Sequence, residues 1–189
     1  MSQLKVNTIR NTAGKDIAGV SGTIVDTYYT TSSSSHMVLT NYNNNGTRVP
    51  DLTLVIKPKA TNNIIICEWS VYNEVYNDNV WLIHKRVNYG SWGLVTTGGE
   101  EGYNSAAGNQ YWSGISMPRY DVDFNSTPHT QNIQYHFVAN TTNTVEIALA
   151  LRCSGANQYN CPINRTQGSW GQTSYENGTS YAWLYEIKA

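Results

Sequence analysis

The sequence predicts an all-β protein: an antiparallel β-sandwich, jelly-roll-like, led by a short extended N-terminal arm. Three observations carry this. No window of a dozen residues keeps an apolar face at helical spacing, whereas period-two alternation of β-branched and aromatic residues recurs along the chain. Clusters rich in Asn, Gly, Thr and Pro fall between the alternating runs, where positive φ or a missing ladder donor makes a turn. Eight or nine strands at that spacing fit two packed sheets better than any mixed fold.

Taken in order, residues 1–21 form an arm and 22–189 a sandwich head. The arm carries Leu4, Val6 and Ile9 with Lys5, Asn7, Thr8 and Arg10 between them. No apolar run of the length a secretory signal requires survives that interruption, so an attachment segment ordered by another molecule is expected. Strands are expected over 22–30, 49–56, 63–73, 80–89, 110–124, 132–139, 144–152, 160–166 and 180–188. The Ser-rich stretch 30–37 reads as a flexible connection. In "DLTLVIKP", Leu52, Leu54 and Ile56 share one face; in "TVEIALAL", Val145, Ile147, Leu149 and Leu151 oppose Glu146, Ala148 and Ala150. The first set in each strand should face the core. "NIIICEWSVY" is apolar on both sides at its start, as for a strand covered twice or one that meets a second subunit.

Composition narrows the function. Of 189 residues 40% are hydrophobic but only 13% are charged, with a net charge of −1. Without a basic stripe there is no electrostatic footprint for nucleic acid. The longest apolar run, residues 63–67, is strand-sized and far short of the roughly 18 residues of a membrane-spanning helix, so no membrane insertion is expected. Cys67 sits in that run as a small core residue. Cys153 and Cys161 could close a hairpin and are expected to be reduced. His36, His84, His129 and His136 lack metal-ligand spacing; no metal and no cofactor is expected.

No catalytic constellation stands out. Glu100 and Glu101 lie in a Gly-rich turn, Asp121 and Asp123 share one side of an expected strand without further partners, "NTAGKD" lacks the rest of a phosphate loop, and no nucleophile elbow occurs. The aromatic bias says more: fourteen Tyr and six Trp against two Phe favour rings with a polar handle. Trp92, Tyr103, Tyr111, Trp112, Tyr159, Trp170 and Tyr175 fall in or beside Gly-, Ser- and Asn-rich connections. They read either as contacts to a glycan or protein partner, or as rings packed under loops and between subunits.

The segments "LKVNTIRNTAGKDI", "SGTIV", "LTLVIKPKATNNIIICEWSV" and "YAWLYEIKA" together resemble small structural proteins of tailed bacteriophages, especially marine and cyanobacterial ones, found as tail-fibre-like or virion-decorating β-sandwich proteins. The resemblance implies a non-enzymatic virion protein made in the host cytoplasm. It implies docking on other virion proteins through Leu4, Val6 and Ile9, assembly as a homotrimer, and a head turned toward the host surface. Two readings follow: an adhesion module that meets a host-surface glycan, or a purely architectural capsid or tail decoration. A polysaccharide-degrading enzyme is a third, and would have to work through Asp121 and Asp123.

Overall fold

The structure is a computed structural model that describes residues 22–40, 46–75, 79–95, 128–153, 159–167 and 176–189, the side chains of Met37 and Cys153 excepted. Every strand pair is antiparallel. The described residues form eleven strands: β1 (Ile24–Ser32), β2 (His36–Thr40), β3 (Thr47–Arg48), β4 (Leu54–Ile56), β5 (Ile64–Asn73), β6 (Asn79–Val87), β7 (Gly93–Leu94), β8 (His129–Val138), β9 (Val145–Cys153), β10 (Tyr159–Ile163) and β11 (Ser180–Ile187). They make the two sheets of a β-sandwich. In the first, β1, β11, β5 and β8 lie side by side, and β10, joined to β5 where Ile163 meets Asn73, carries β2. In the second, β9 pairs with β6, which pairs with β7, while β3 and β4 line the other side of β9.

The core is where alternation places it. Leu52, Leu54 and Ile56, together with Val145, Ile147, Leu149 and Leu151, pack against Ile65, Cys67, Trp69 and Val71 of β5, Ile133, Tyr135 and Phe137 of β8, and Ala182 and Leu184 of β11. Large indoles go inside only with a partner for their N–H. The Trp69 Nε1–H donates to the Leu52 carbonyl at 2.9 Å and the Trp81 Nε1–H to Gln131 Oε1 at 2.8 Å. Cys67 is wholly buried, and that burial pushes its thiol far above the ordinary range, so it is core filling and no nucleophile.

Several boundaries differ from the sequence expectation for identifiable reasons. Of the expected strand 49–56 only Leu54–Ile56 is strand, and β3 ends ahead of it at Arg48, because Pro50 supplies no donor and Asp51 adopts φ 63°; Val49 N–H still reaches the Leu149 carbonyl between the two. The strand expected over 80–89 stops at Val87, where Asn88 and Tyr89 both take positive φ and turn the chain toward β7. The Ser-rich stretch is not a loose connector. β1 runs on to Ser32 and β2 begins at His36, and two hydroxyls of the run are tied down: Thr31 Oγ1 donates to the Ser180 carbonyl, and Ser32 Oγ accepts from Asn164 Nδ2. The expected strand 110–124 lies outside the described residues.

Asn164 fastens this corner. It ends β10 at φ 60° and has no solvent exposure. Its Nδ2 donates to Ser32 Oγ and to the Ser34 carbonyl, its Oδ1 accepts from Ser180 Oγ, and its backbone N–H donates to the Tyr72 carbonyl. One side chain thus couples the β1–β2 connection to β11, and one backbone couples both to β5. Close by, Gly178 lies so near the Tyr72 ring that a Cβ would come within 2.3 Å of it. At Gly46 a Cβ would sit 2.7 Å from the Leu151 carbonyl, and φ is 63°, so glycine is needed there twice over.

Asn164→Ala should lower unfolding free energy by about 3–5 kcal/mol in urea denaturation, through lost buried hydrogen bonds and a left-handed backbone that alanine resists. Asn164→Gly should recover about 1 kcal/mol of that loss. A milder effect is expected at Asp26, whose hydrogen bond from Lys59 Nζ at 3.0 Å holds its carboxyl below the ordinary range. The contribution of this exposed pair is present above the unfolded carboxyl pKa and fades as pH falls through the lower folded value. Asp26→Asn should shorten the acid limb of the stability profile slightly.

Candidate functional site

Antiparallel partners share a face, so the pairings of β1, β11, β5 and β8 lay out the outward side of the first sheet as rows. One row is Thr31, Tyr181, Ser70 and Asn132; the next is Tyr29, Trp183, Glu68 and Gln134. A third is Thr27, Tyr185, Ile66 and His136; at the end of the sheet follow Ile187, Ile64 and Val138, with Ile24 across from Ile187 at a β-bulge. The same strands point Leu184, Cys67 and Tyr135 into the core. Burying one side therefore fixes what the other side shows.

The outward side divides in two. Its first half is aromatic and polar. Trp183 and Tyr181 stack with ring centres 5.8 Å apart and 19° between planes; Tyr29 lies 5.6 Å from Trp183 and 6.4 Å from Tyr181. Tyr29 is 51% and Tyr181 37% exposed. Beside them Gln134 Nε2 donates to Glu68 Oε1 at 2.9 Å, which holds both side chains in a set orientation. The end of the sheet is aliphatic: Ile24 is 53% and Val138 45% exposed, with Ile64 and Ile187 half-buried between them, and half-buried Ile66 stands in the adjoining row with Thr27, Tyr185 and His136.

The outward side of the second sheet is different. Val80 and Leu82 of β6 and Ala150 of β9 are buried there and form a separate apolar cluster with Leu94. Ala148 and Ala150, which alternation assigns to the outward side, are buried. At the margin of this sheet Trp92 meets two guanidinium groups, Arg48 at 4.5 Å and Arg86 at 4.6 Å from the ring centre. Arg86 is itself held by both oxygens of Glu146, at 2.5 and 2.7 Å, and that contact raises the Arg86 pKa above its already high value. Trp92 therefore sits in a charge-assisted clamp that ties β3, β6 and β9 together.

Of the residues singled out from sequence, Trp92 is in this clamp, and Tyr159, on β10, is partly buried against the core with its carbonyl accepting from Thr40 Oγ1 at 3.2 Å. The two stand on different sheets. Leu4, Val6, Ile9, Tyr103, Tyr111, Trp112, Trp170 and Tyr175 lie outside the described residues, as do Glu100, Glu101, Asp121 and Asp123. Tyr29, Tyr181 and Trp183 escaped sequence reasoning, which sought recognition rings in connections. The signal was the alternation in "SYAWLYEI", where Tyr181, Trp183 and Tyr185 share the side opposite Ala182 and Leu184. Among the described residues no group of three or more His, Cys, Asp or Glu is arranged to hold a metal ion.

No protein-family profile matches this chain, and no curated protein does. Among solved structures it is similar to the crystal structure of the infectious bursal disease virus VP2 subviral particle, with a TM-score of 0.41 and 10% identity. It is also similar to the structure of the infectious bursal disease virus Gx strain, at 0.36 and 11%. Each match covers 87% of this chain but only 38% and 37% of the respective viral chain. Neither superposition is close enough to fix a fold family.

Near the clamp, Tyr89 is 70% exposed and holds φ 59°, a backbone conformation that costs an aromatic residue roughly 1–2 kcal/mol. Tyr89→Gly should raise stability by about 0.5–1 kcal/mol after the entropy glycine adds to the unfolded chain. Thermal unfolding monitored by circular dichroism checks this.

Proposed function

We propose that this chain is a structural module of a virus particle, tail-fibre-like in role, that works by surface contact and not by catalysis. The observation that carries the proposal is the aliphatic end of the outward sheet face. Ile24, Ile187, Ile64, Ile66 and Val138 gather where residues 1–21 join the sandwich: Gly22 N–H donates to the Lys188 carbonyl at 2.7 Å and Lys188 N–H to the Thr23 carbonyl at 2.9 Å. An apolar patch at the point where the chain enters the sandwich offers a contact surface for a neighbouring virion protein. The resemblance of the segments to phage structural proteins supports the same assignment, and the homotrimer it implies belongs to the proposal.

The division of the sheet face favours an adhesion module over a purely architectural decoration. A decoration protein needs only the aliphatic end, whereas the aromatic and polar half is turned to solvent and is left for a different contact. Under this reading the arm and the aliphatic end face the particle, and the aromatic half faces outward.

The test is incorporation into particles. Deletion of residues 1–21, and separately Ile24→Lys with Val138→Lys, should leave the head folded with an unchanged melting temperature. Each should lower the amount of protein that sediments with assembled particles by about tenfold or more, the effect of losing two aliphatic contacts at an interface. Full incorporation of both variants would overturn the assignment.

A further inference from the structure

We propose that the aromatic half of the outward sheet face, centred on Tyr29, Trp183 and Tyr181 and edged by Glu68, Gln134, Ser70 and Asn132, is a binding platform for a neutral glycan chain. The proposal deepens the adhesion reading, on which it rests, by naming the ligand class and by placing the site on the regular sheet instead of on the connections.

The argument starts from what the rows present. A pyranose offers a flat array of C–H groups on its faces and a rim of hydroxyls that both donate and accept. Its complement is a ring with solvent-open surface next to fixed hydrogen-bonding groups, and Tyr and Trp supply that ring at low conformational cost. Here three such rings stand in contact with one another at 5.6–6.4 Å, two of them with planes within 19°. Adjacent strands lie about 4.8 Å apart. That places Glu68 and Ser70 one strand beyond Trp183 and Tyr181, and Gln134 and Asn132 one strand further. The four strands span about 14 Å, room for a short stretch of chain. The Glu68–Gln134 hydrogen bond orients both groups before a ligand arrives, which lowers the cost of ordering them.

Charge selects within the class. Glu68 is the one carboxylate of these two rows, which hold no basic side chain, and it accepts hydrogen bonds from hydroxyls but repels uronates and sialic acids. A protein partner is a poorer match for this half, because Glu68, Gln134, Asn132 and Ser70 fill its β5 and β8 positions, where a protein interface would place an apolar centre. The aliphatic end suits that role instead.

The experiment uses the full chain with hexasaccharides of β-1,4-linked glucose, α-1,4-linked glucose, β-1,4-linked N-acetylglucosamine and α-linked mannose as probes, and hexagalacturonate as the acidic comparison. Binding is followed by calorimetry and tryptophan fluorescence. At least one neutral probe should bind with a Kd of about 1 mM or tighter, hexagalacturonate more weakly. Trp183→Ala and, at the more exposed edge position, Tyr29→Ser should each weaken binding about tenfold, with Tyr29→Ser keeping the native melting temperature. Loss of the fluorescence response in Trp183→Tyr with binding retained would support the same placement.

Absence of binding by all four neutral probes up to about 10 mM overturns the proposal, as does binding that neither Trp183→Ala nor Tyr29→Ser weakens. A self-association that these variants abolish would assign the face to a second copy and overturn it too. Should glycan binding fail while incorporation still depends on Ile24 and Val138, the platform falls and the virion role stands.

Discussion

The inward packing of β5 is the constraint from which the rest of the structure follows. Ile65, Cys67, Trp69 and Val71 are all buried, and β11 and β8 flank the strand over seven and ten paired residues respectively. A slip of one residue would turn Glu68 and Ser70 into the core and Trp69 into solvent, breaking the indole hydrogen bond to Leu52 as well. Register is therefore strongly specified. Once it is, Ile64, Ile66, Glu68 and Ser70 must face outward, and the pairings carry that choice to Tyr185, Trp183 and Tyr181 on one side and to Val138, His136, Gln134 and Asn132 on the other. The composition of the exposed face is a consequence of core packing together with a period of two.

The two sheets use that period in opposite ways. In β6 the first six residues are buried on both sides, and its partner β9 carries small Ala148 and Ala150 where β8 carries His136 and Gln134. A strand with small residues on its outward side lets other groups approach closely; one with rings and amides keeps contact with water. Both sheets supply the same kind of inward surface, so the core does not explain this asymmetry. It is a property of the outward faces alone. That contrast favours the first sheet as the proposed contact surface, while the Arg48–Trp92–Arg86 stack at the margin of the second ties its strands together.

Much of this was legible in the sequence, and the parts that were not share a cause. Alternation in "TVEIALAL" placed Val145, Ile147, Leu149 and Leu151 inside, while the two-sided start of "NIIICEWSVY" left open a strand covered twice or a subunit contact, and Ile64 and Ile66 stand half-buried on the outward side. The Ser-rich stretch was misread because its composition is that of a linker, while its order comes from Asn164, some 130 positions away. The aromatic platform was missed for a similar reason. Tyr29 and Trp183 are distant in sequence and become neighbours only through the β1–β11 pairing, which no local pattern announces. Within one strand the signal was present, since Tyr181, Trp183 and Tyr185 alternate cleanly. Nothing in their spacing, however, distinguishes an outward aromatic row from an inward one until Ala182 and Leu184 are known to be buried.

The edge of the first sheet bears on how the face is used. β1 is the last strand on its side among the described residues and is rich in residues that favour strands, so it offers a row of backbone groups to which another strand can add. Two features work against that. The bulge between Ile24 and Asp26 breaks the register at the start of the strand, and bulges twist an edge away from flat pairing. Asp26 then places a charge on it, bound to Lys59, and a charged pair must be stripped of water before a new strand can cover it. Sheet extension at this end is therefore disfavoured relative to contact across the face. Tyr29 gains from this arrangement: an edge that does not pair leaves its ring open to solvent on the outward side, next to Trp183. The device that protects the edge from uncontrolled association also keeps the aromatic row accessible, so a single stretch of nine residues serves both needs.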